Sequence, residues 1–334
     1  MSNIGKQTVR FVKNINIVSA ASVVGPKEGQ GPLGKHFDIV LEDIMAGEKS
    51  WEKAESQISK KALDLATRKA GISISGIDYV LAGDLLNQST GSIFGVKDFN
   101  RPFLGIFGAC STMGLGMGLG AMLLEGGFGE NILVGASSHF CAAEKQFRFP
   151  LELGSQRPPT STTTVTGCGA AVLSTSGTSP RVTSFTTGKI VDMGIKDPNN
   201  MGAAMAPSAV DTLITHFKDL NITPDYYDVI ATGDLGYIGH ELVLSLMKKE
   251  GYDLGDNYVD CGILIYDKNS QDTHSGGSGC ACSGVTFASY LYQKLVKGEI
   301  KRLLFIPTGA LMSPLSVQQK ETIPGIAHAI SIET

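Results

Sequence analysis

Apolar positions along this chain fall into two periods. Short, almost unbroken apolar runs recur: "YVLAG" at 79–83, "NILVGAS" at 131–137, the start of "DVIATG" at 228–233 and "RLLFIPTG" at 302–309. Runs of this length and continuity predict strands buried on both faces and covered by helices. Between them, "STMGLGMGLGAMLLEGG" at 111–127 and "SGVTFASYLYQKLVKGE" at 283–299 have helical length and reach glycines at their ends. Each interior glycine of the first segment costs a helix about 1 kcal/mol relative to alanine, so that segment is expected to pack very closely against its neighbours. A third stretch, "EDIMAGEKSWEKAESQISKKALDLATRKAG" at 42–71, spaces its apolar residues helically with mixed charges opposite, and predicts an amphipathic helix pair on the surface.

The pattern is duplicated. "DYVLAGDLLNQ" begins at Asp78 and "DVIATGDLGYI" at Asp228, so that Gly-Asp-Leu recurs at 83–85 and 233–235. "ACSTMGLG" begins at Ala109 and "ACSGVTFA" at Ala281, an offset of 172 that also places Gly126 on Gly298 and Leu133 on Phe305. Two halves, 1–180 and 181–334, thus share one strand, loop, helix, strand plan. The expected architecture is α/β, a duplicated stack of five layers, α/β/α/β/α. "AAVLSTS" and "RVTSFTTGKIVDMG" lie at the seam, and "PGIAHAISIE" approaches a closing strand. The polar, Pro/Thr-rich segment 139–167 is expected to be a long loop lying as a lid over a site.

Composition narrows the function classes. With 334 residues, 42% hydrophobic and 18% charged, the chain can bury a large core. A net charge of -4 with no basic run argues against nucleic-acid binding. No stretch approaches the roughly 18 apolar residues of a membrane span, and "MSNIGKQTVRFVKNINIVSA" lacks the apolar core of a signal peptide. Any membrane association is therefore expected to be peripheral. Six cysteines, at 110, 141, 168, 261, 280 and 282, are too sparse for a disulfide framework and are expected to be reduced. Cys280-Ala-Cys282 is too tight for a zinc knuckle and no matching Cys/His pair accompanies it, so neither a metal nor a cofactor is expected.

Cys110 is the first candidate for chemistry. It stands between an apolar run and a predicted helix, where the helix dipole and unpaired backbone N–H groups would lower a thiol's pKa. The bland alternative is a small buried side chain at a strand–helix corner. His139 follows the strand "NILVGAS" at its C-terminal end, where α/β sites form. Lys145 and Arg148 lie on the expected lid and could equally be surface charges paired with Glu144 or Glu152. Asp84 and Asp234, equivalent in the two repeats, read as helix caps, with Asp84 in the half that supplies Cys110. His274 reads as a cap of the glycine-rich turn that follows it, and His328 as a packed side chain.

The duplicated halves, "FGACS" at 107, "TGCGAAVLS" at 166 and "GGSGCACSG" at 276 together resemble the thiolase and ketoacyl synthase superfamily. "GPLG" at 31, "LAGDLLNQ" at 81, "AEKQFRFP" at 143 and "TGALMSP" at 308 extend the resemblance to one branch, the stage V sporulation AD family of endospore-forming bacteria. The resemblance implies a homodimer peripheral to the inner spore membrane. It also implies membrane subunits of the stage V sporulation A complex as partners, a link to spore germination, and a role in moving dipicolinic acid (pyridine-2,6-dicarboxylate), with or without calcium, into the developing spore. Condensing members of the superfamily pair a cysteine with His and Asn residues. In the matching blocks this chain has Ser278 in "GGSGCACSG", Gly233-Asp234-Leu235 with His240 seven residues after Gly233, and "TGALMS" without a cysteine. The expectation is a non-catalytic binder of dipicolinate whose contacts come from Cys110, His139, Lys145, Arg148, Asp84 and Ser278. The alternatives are an acyl-CoA or acyl-carrier condensing or acyl-transfer enzyme using Cys110, and a scaffold with a vestigial pocket.

Overall fold

The structure, a computed structural model, describes residues 2–148, 157–178 and 180–334. Ten strands carry the architecture: β1 (Thr8–Val24), β2 (Tyr79–Gly83), β3 (Phe103–Gly105), β4 (Asn131–Ser138) and β5 (Gly167–Ser174), then β6 (Arg181–Thr186), β7 (Val229–Thr232), β8 (Tyr258–Asp260), β9 (Arg302–Ile306) and β10 (Ala329–Glu333). Their order is β3-β2-β4-β5-β1 in the first set and β8-β7-β9-β10-β6 in the second, the same topology twice. In each set the two outer pairings are parallel and the remainder antiparallel. β1 joins the sets, pairing with β6 through Thr8–Asn16 and with β5 through Asn16–Val24.

Six helices matter for the site: α1 (Trp51–Lys69), α2 (Thr112–Gly126), α3 (Phe140–Phe147), α4 (Met201–Leu220), α5 (Gly236–Lys249) and α6 (Cys280–Thr286). A π-type turn at Phe287–Leu291 carries α6 on into Tyr292–Val296. Three apolar cores separate the layers. One lies between α1 and the first sheet, around Ile58, Leu63, Val80 and Val172. A second holds α4 and α5 on the second sheet, around Leu213, Phe217, Val243 and Ile306. The third contains α2 and α6 between the two sheets, which gives the five-layered stack.

The glycines of α2 follow from that position. A Cβ on Gly116 would meet Val134 at 2.6 Å and one on Gly120 would meet Leu173 at 3.0 Å, both on the first sheet. A Cβ on Gly118 would meet the Phe185 ring at 2.3 Å, on the second. Residues two apart on a helix point to nearly opposite sides, so α2 is thinned on both faces at once. The repeated aspartates before β2 and β7 also do the same work twice. Asp78 Oδ2 accepts hydrogen bonds from Glu130 N (2.7 Å) and Asn131 N (2.9 Å), and Asp228 Oδ2 accepts from Lys301 N (2.6 Å) and Arg302 N (2.9 Å). Each clamps the start of the strand that will run beside its own.

Two sequence expectations change here. Segment 42–71 contains one long helix, α1, rather than a helix pair; Ser50 caps it by accepting from Lys53 N, and it covers the first sheet. The expected loop 139–167 begins with a helix, α3, whose apolar residues Ala142 and Ala143 are buried, and returns as a short strand, Thr163–Thr164, paired with Gly277–Ser278. The middle of that segment, 149–156, lies outside the described residues.

Close approach of the layers predicts a sharp contrast between two substitutions. A Cβ on Gly169 in β5 would lie 2.1 Å from the backbone carbon of Gly284 in α6, whereas one on Gly114 would meet only Pro307 and Ile330 side chains at 3.0–3.2 Å. Gly169→Ala is expected to destabilise by about 3 kcal/mol or more, and Gly114→Ala by less than about 1 kcal/mol because alanine's helix propensity offsets the contact. Thermal midpoints of the two variants check this; equal midpoints would show that the layers can separate freely.

Candidate functional site

The site lies where loops from both halves meet at the N-terminal ends of α2 and α6. After β3 the chain turns through Ala109, held at a positive φ of 49°, and presents Cys110 just before the N-cap Ser111 of α2. The Ala109 carbonyl accepts from Thr112 Oγ1 at 2.6 Å and from Cys280 Sγ at 2.9 Å, and the Gly108 carbonyl accepts from Ser111 Oγ at 2.6 Å. This loop is further pressed by Gly309, where a Cβ would lie 2.4 Å from the Gly108 oxygen. Only glycine fits there.

Asp234, which follows β7, is the immediate polar neighbour of Cys110. Its carboxyl faces the thiol. Thr308 Oγ1 donates to Oδ1 at 2.9 Å and Gly279 N to Oδ2 at 3.2 Å. Burial pushes the Asp234 carboxyl up to about 7, against the pull of these donors. The Cys110 thiol is likewise raised well above its ordinary value, first by burial and then by the facing Asp234 carboxylate. The lowering expected from the end of α2 is outweighed, because a helix end acts through partial charges while burial removes the thiolate's whole hydration.

Cys110 forms part of the wall of a cavity of about 320 Å³. Leu85, Phe107, Phe147, Met201 and Met312 make its apolar sides, and Glu144, Arg148, Thr162, Thr164 and Ser278 are among its polar ones. Arg148 and Glu144 form an ion pair at 3.6 Å across one turn, both mostly covered; burial raises the Glu144 carboxyl despite the nearby Arg148 and Arg157. Thr162 is 3% exposed and its Oγ1 has no hydrogen-bond partner.

Of the residues singled out from sequence, Cys110, Arg148 and Ser278 converge on this cavity. The other three do not line it. His139 is buried as the N-cap of α3: its Nδ1 accepts from Ala142 N at 3.4 Å, its Nε2 faces the Ile44 carbonyl at 2.8 Å, and burial lowers its pKa. Lys145 points outward to Glu52, 2.6 Å away. Asp84 accepts from Leu86 N at 2.8 Å and Ser92 N at 2.7 Å, a capping role beside the buried Glu55. His240 stacks on Tyr258 with ring centroids 4.5 Å apart, and His274 pairs with Asp272 at 3.4 Å in a separate surface pocket. Among the described residues no imidazole lines the cavity. Sequence reasoning missed two participants. Asp234 was hidden because its repeat partner Asp84 is a cap, and Thr162 because only the Gly277–Ser278 pairing brings the Thr-rich segment to the site.

A family model described as stage V sporulation protein AD (SpoVAD) matches residues 5–333. Stage V sporulation protein AD of Bacillus subtilis (strain 168) is 46% identical over 329 residues, 98% of this chain and 97% of the relative. The chain belongs to the stage V sporulation protein AD family. Among solved structures, cerulenin-bound OleA of Xanthomonas campestris aligns over 97% of this chain and all of its own, with a TM-score of 0.63 at 16% identity. The 3-oxoacyl-[acyl-carrier-protein] synthase III of Aquifex aeolicus VF5 aligns over 96% of this chain and all of its own, with a TM-score of 0.59 at 11% identity. At these identities the likeness establishes the thiolase-like fold of this SpoVAD family member. No helix among its described residues is long and apolar enough to cross a membrane.

The raised Asp234 carboxyl makes stability depend on pH in a defined direction. Its folded value of about 7 lies above the ordinary 3.8, so the stability it contributes is fully present below about pH 4 and is lost as pH rises through about 7. Asp234→Asn removes that dependence. Unfolding curves are expected to show the wild type losing stability relative to the variant between about pH 4 and 7, by as much as about 4 kcal/mol. Parallel curves would mean that Asp234 is not the buried acid described.

Proposed function

We propose that this protein is a non-condensing member of its fold that binds dipicolinate, or the calcium chelate, for uptake into the developing spore. The observation that carries the reading is the buried Thr162 hydroxyl without a partner, in an apolar-walled cavity that also holds the Arg148 guanidinium. A buried polar group left unpaired costs roughly 1–3 kcal/mol, and a ligand oxygen would satisfy it. Dipicolinate is a flat aromatic dianion. Its ring suits the space between Phe107, Phe147 and Met312, and one carboxylate can replace the long Glu144 contact on Arg148 with a bidentate pair. A cavity of about 320 Å³ falls at the small end of ligand sites, which span roughly 300–1,000 Å³.

The surroundings of Cys110 favour binding over condensation. A condensing thiol needs a base to take its proton and donors to hold the developing oxyanion. Here the thiol is held protonated against a carboxylate, which would repel such an oxyanion. The reading also places the protein as a homodimer at the inner spore membrane, beside the membrane subunits of the stage V sporulation A assembly and with a link to germination.

Titration calorimetry with dipicolinic acid, with and without calcium, tests the reading. Saturable binding by the wild type is expected, weakened roughly tenfold by Arg148→Gln and more mildly by Thr162→Val. Absence of heat with the wild type under both conditions overturns it. Mass spectrometry after exposure to an acyl-CoA addresses the alternative, because acylation of Cys110 that turns over would make the protein an acyl-transfer enzyme.

A further inference from the structure

A second site lies at the seam of the two halves, away from the Cys110 cavity. β1 and β6 fall out of step there: Arg10 pairs with Ser184 and Ile15 with Val182, so residues 11–14 stand opposite Thr183 alone. Four residues against one force β1 to bulge off the sheet, and the bulge opens a pocket of about 400 Å³ between itself, the end of α4 and β10.

The lining holds donors that lack acceptors. Arg10, Lys13 and Arg181 supply three cations, of which Lys13 Nζ already donates to the Leu124 carbonyl at 3.1 Å, and Glu333 is the only carboxylate among the described lining residues. Glu333 is already engaged, accepting from Thr183 Oγ1 at 3.2 Å and Tyr226 OH at 3.1 Å. The Arg10 guanidinium has no hydrogen bond or ion pair among the described residues, and Arg181 reaches only Asn14 Oδ1, at 3.4 Å. Deeper in, Ser184 is 2% exposed and its hydroxyl has no partner. Beside it the buried Ser331 hydroxyl lies 3.1 Å from Tyr227 OH. Guanidinium groups cannot accept, so these groups together call for a ligand made of acceptors.

We propose that this seam pocket binds a phosphate oxyanion, held by Arg10 and Arg181 at the rim and by the Ser184 and Ser331 hydroxyls below. Two guanidinium forks match the oxygens of phosphate better than those of a single carboxylate, which one fork saturates. The same chemistry is offered by free phosphate and by a phospholipid headgroup. Val12, 76% exposed on the crest of the bulge between Arg10 and Lys13, gives the headgroup an apolar neighbour.

The test uses the full chain, its Arg181→Gln variant and its Ser184→Ala variant. Calorimetric titration with inorganic phosphate is combined with flotation on phosphatidylcholine vesicles with and without phosphatidylglycerol. Phosphate binding that weakens roughly tenfold in Arg181→Gln and falls in Ser184→Ala supports the site. Selective flotation on the phosphatidylglycerol vesicles, lost in the same variants, identifies a headgroup as its source; equal flotation by all three proteins alongside variant-sensitive phosphate binding identifies a free phosphate compound. No phosphate binding by the wild type, or equal binding by all three, overturns the proposal. Dipicolinate titrations of the variants are expected to match the wild type and their thermal midpoints to be no lower, with Ser184→Ala raised by loss of an unpaired buried hydroxyl, which separates loss of this site from loss of fold or of the first cavity.

Discussion

The placement of α2 between two sheets is the constraint on which the rest of the structure depends. A helix of ordinary width would hold the sheets apart, and the loops that follow β3, β7 and β9 would not meet. Glycines at 116 and 120 on one side and at 118 on the other let both sheets close on the helix backbone. The same economy appears in α6, where Gly284 meets Gly169 backbone to backbone. Four glycines in the α2 interior, each costing about 1 kcal/mol of helix propensity, are thus offset by the burial of Val134, Leu173, Phe185 and Ile330 against it. Buried aliphatic and aromatic side chains contribute roughly 1.5–3 kcal/mol each, so packing wins.

Once the sheets close, the two copies of a repeated feature can take different roles. Asp78 and Asp228 keep one task in both halves, because each clamps the strand that will lie beside its own. Asp84 and Asp234 diverge. In the first half the turn after β2 bends back so that Leu86 and Ser92 give their amides to Asp84. In the second, Asp260 takes the corresponding role, accepting from Leu235 N and Gly236 N at 3.0 and 2.9 Å. Asp234 is thereby freed to turn inward to Cys110, Thr308 and Gly279.

That divergence marks how far the sequence could be read. The duplication, the buried strands and the strand–Cys110–helix corner were legible because they rest on local periodicity and on a repeat offset of 172 residues. The five layers were legible because unbroken apolar strands must be covered on both faces. The site was legible only at Cys110, Ser278 and Arg148. His139 has the right position, at the end of β4, but its ring is consumed in capping α3 and in bonding to Ile44. Lys145 fell one residue to the wrong side of a short helix, a matter of helical phase that a loop reading cannot supply. Thr162 required knowledge of a two-residue strand pairing, and no local pattern announces one.

The energetics around Cys110 favour the protonated thiol in this corner. Ionising an ordinary thiol, with a value near 9, already costs about 3 kcal/mol at pH 7. Burial and the facing carboxylate both add to that cost. The end of α2 returns roughly 0.3–1 kcal/mol, and at most about 2 in a favourable buried geometry, so the balance stays with the protonated form. Protonated, Cys110 is a small apolar group that faces the Asp234 carboxyl. Cys110 forms part of the cavity wall, and the negative charge on Asp234 beside it falls as pH falls through about 7.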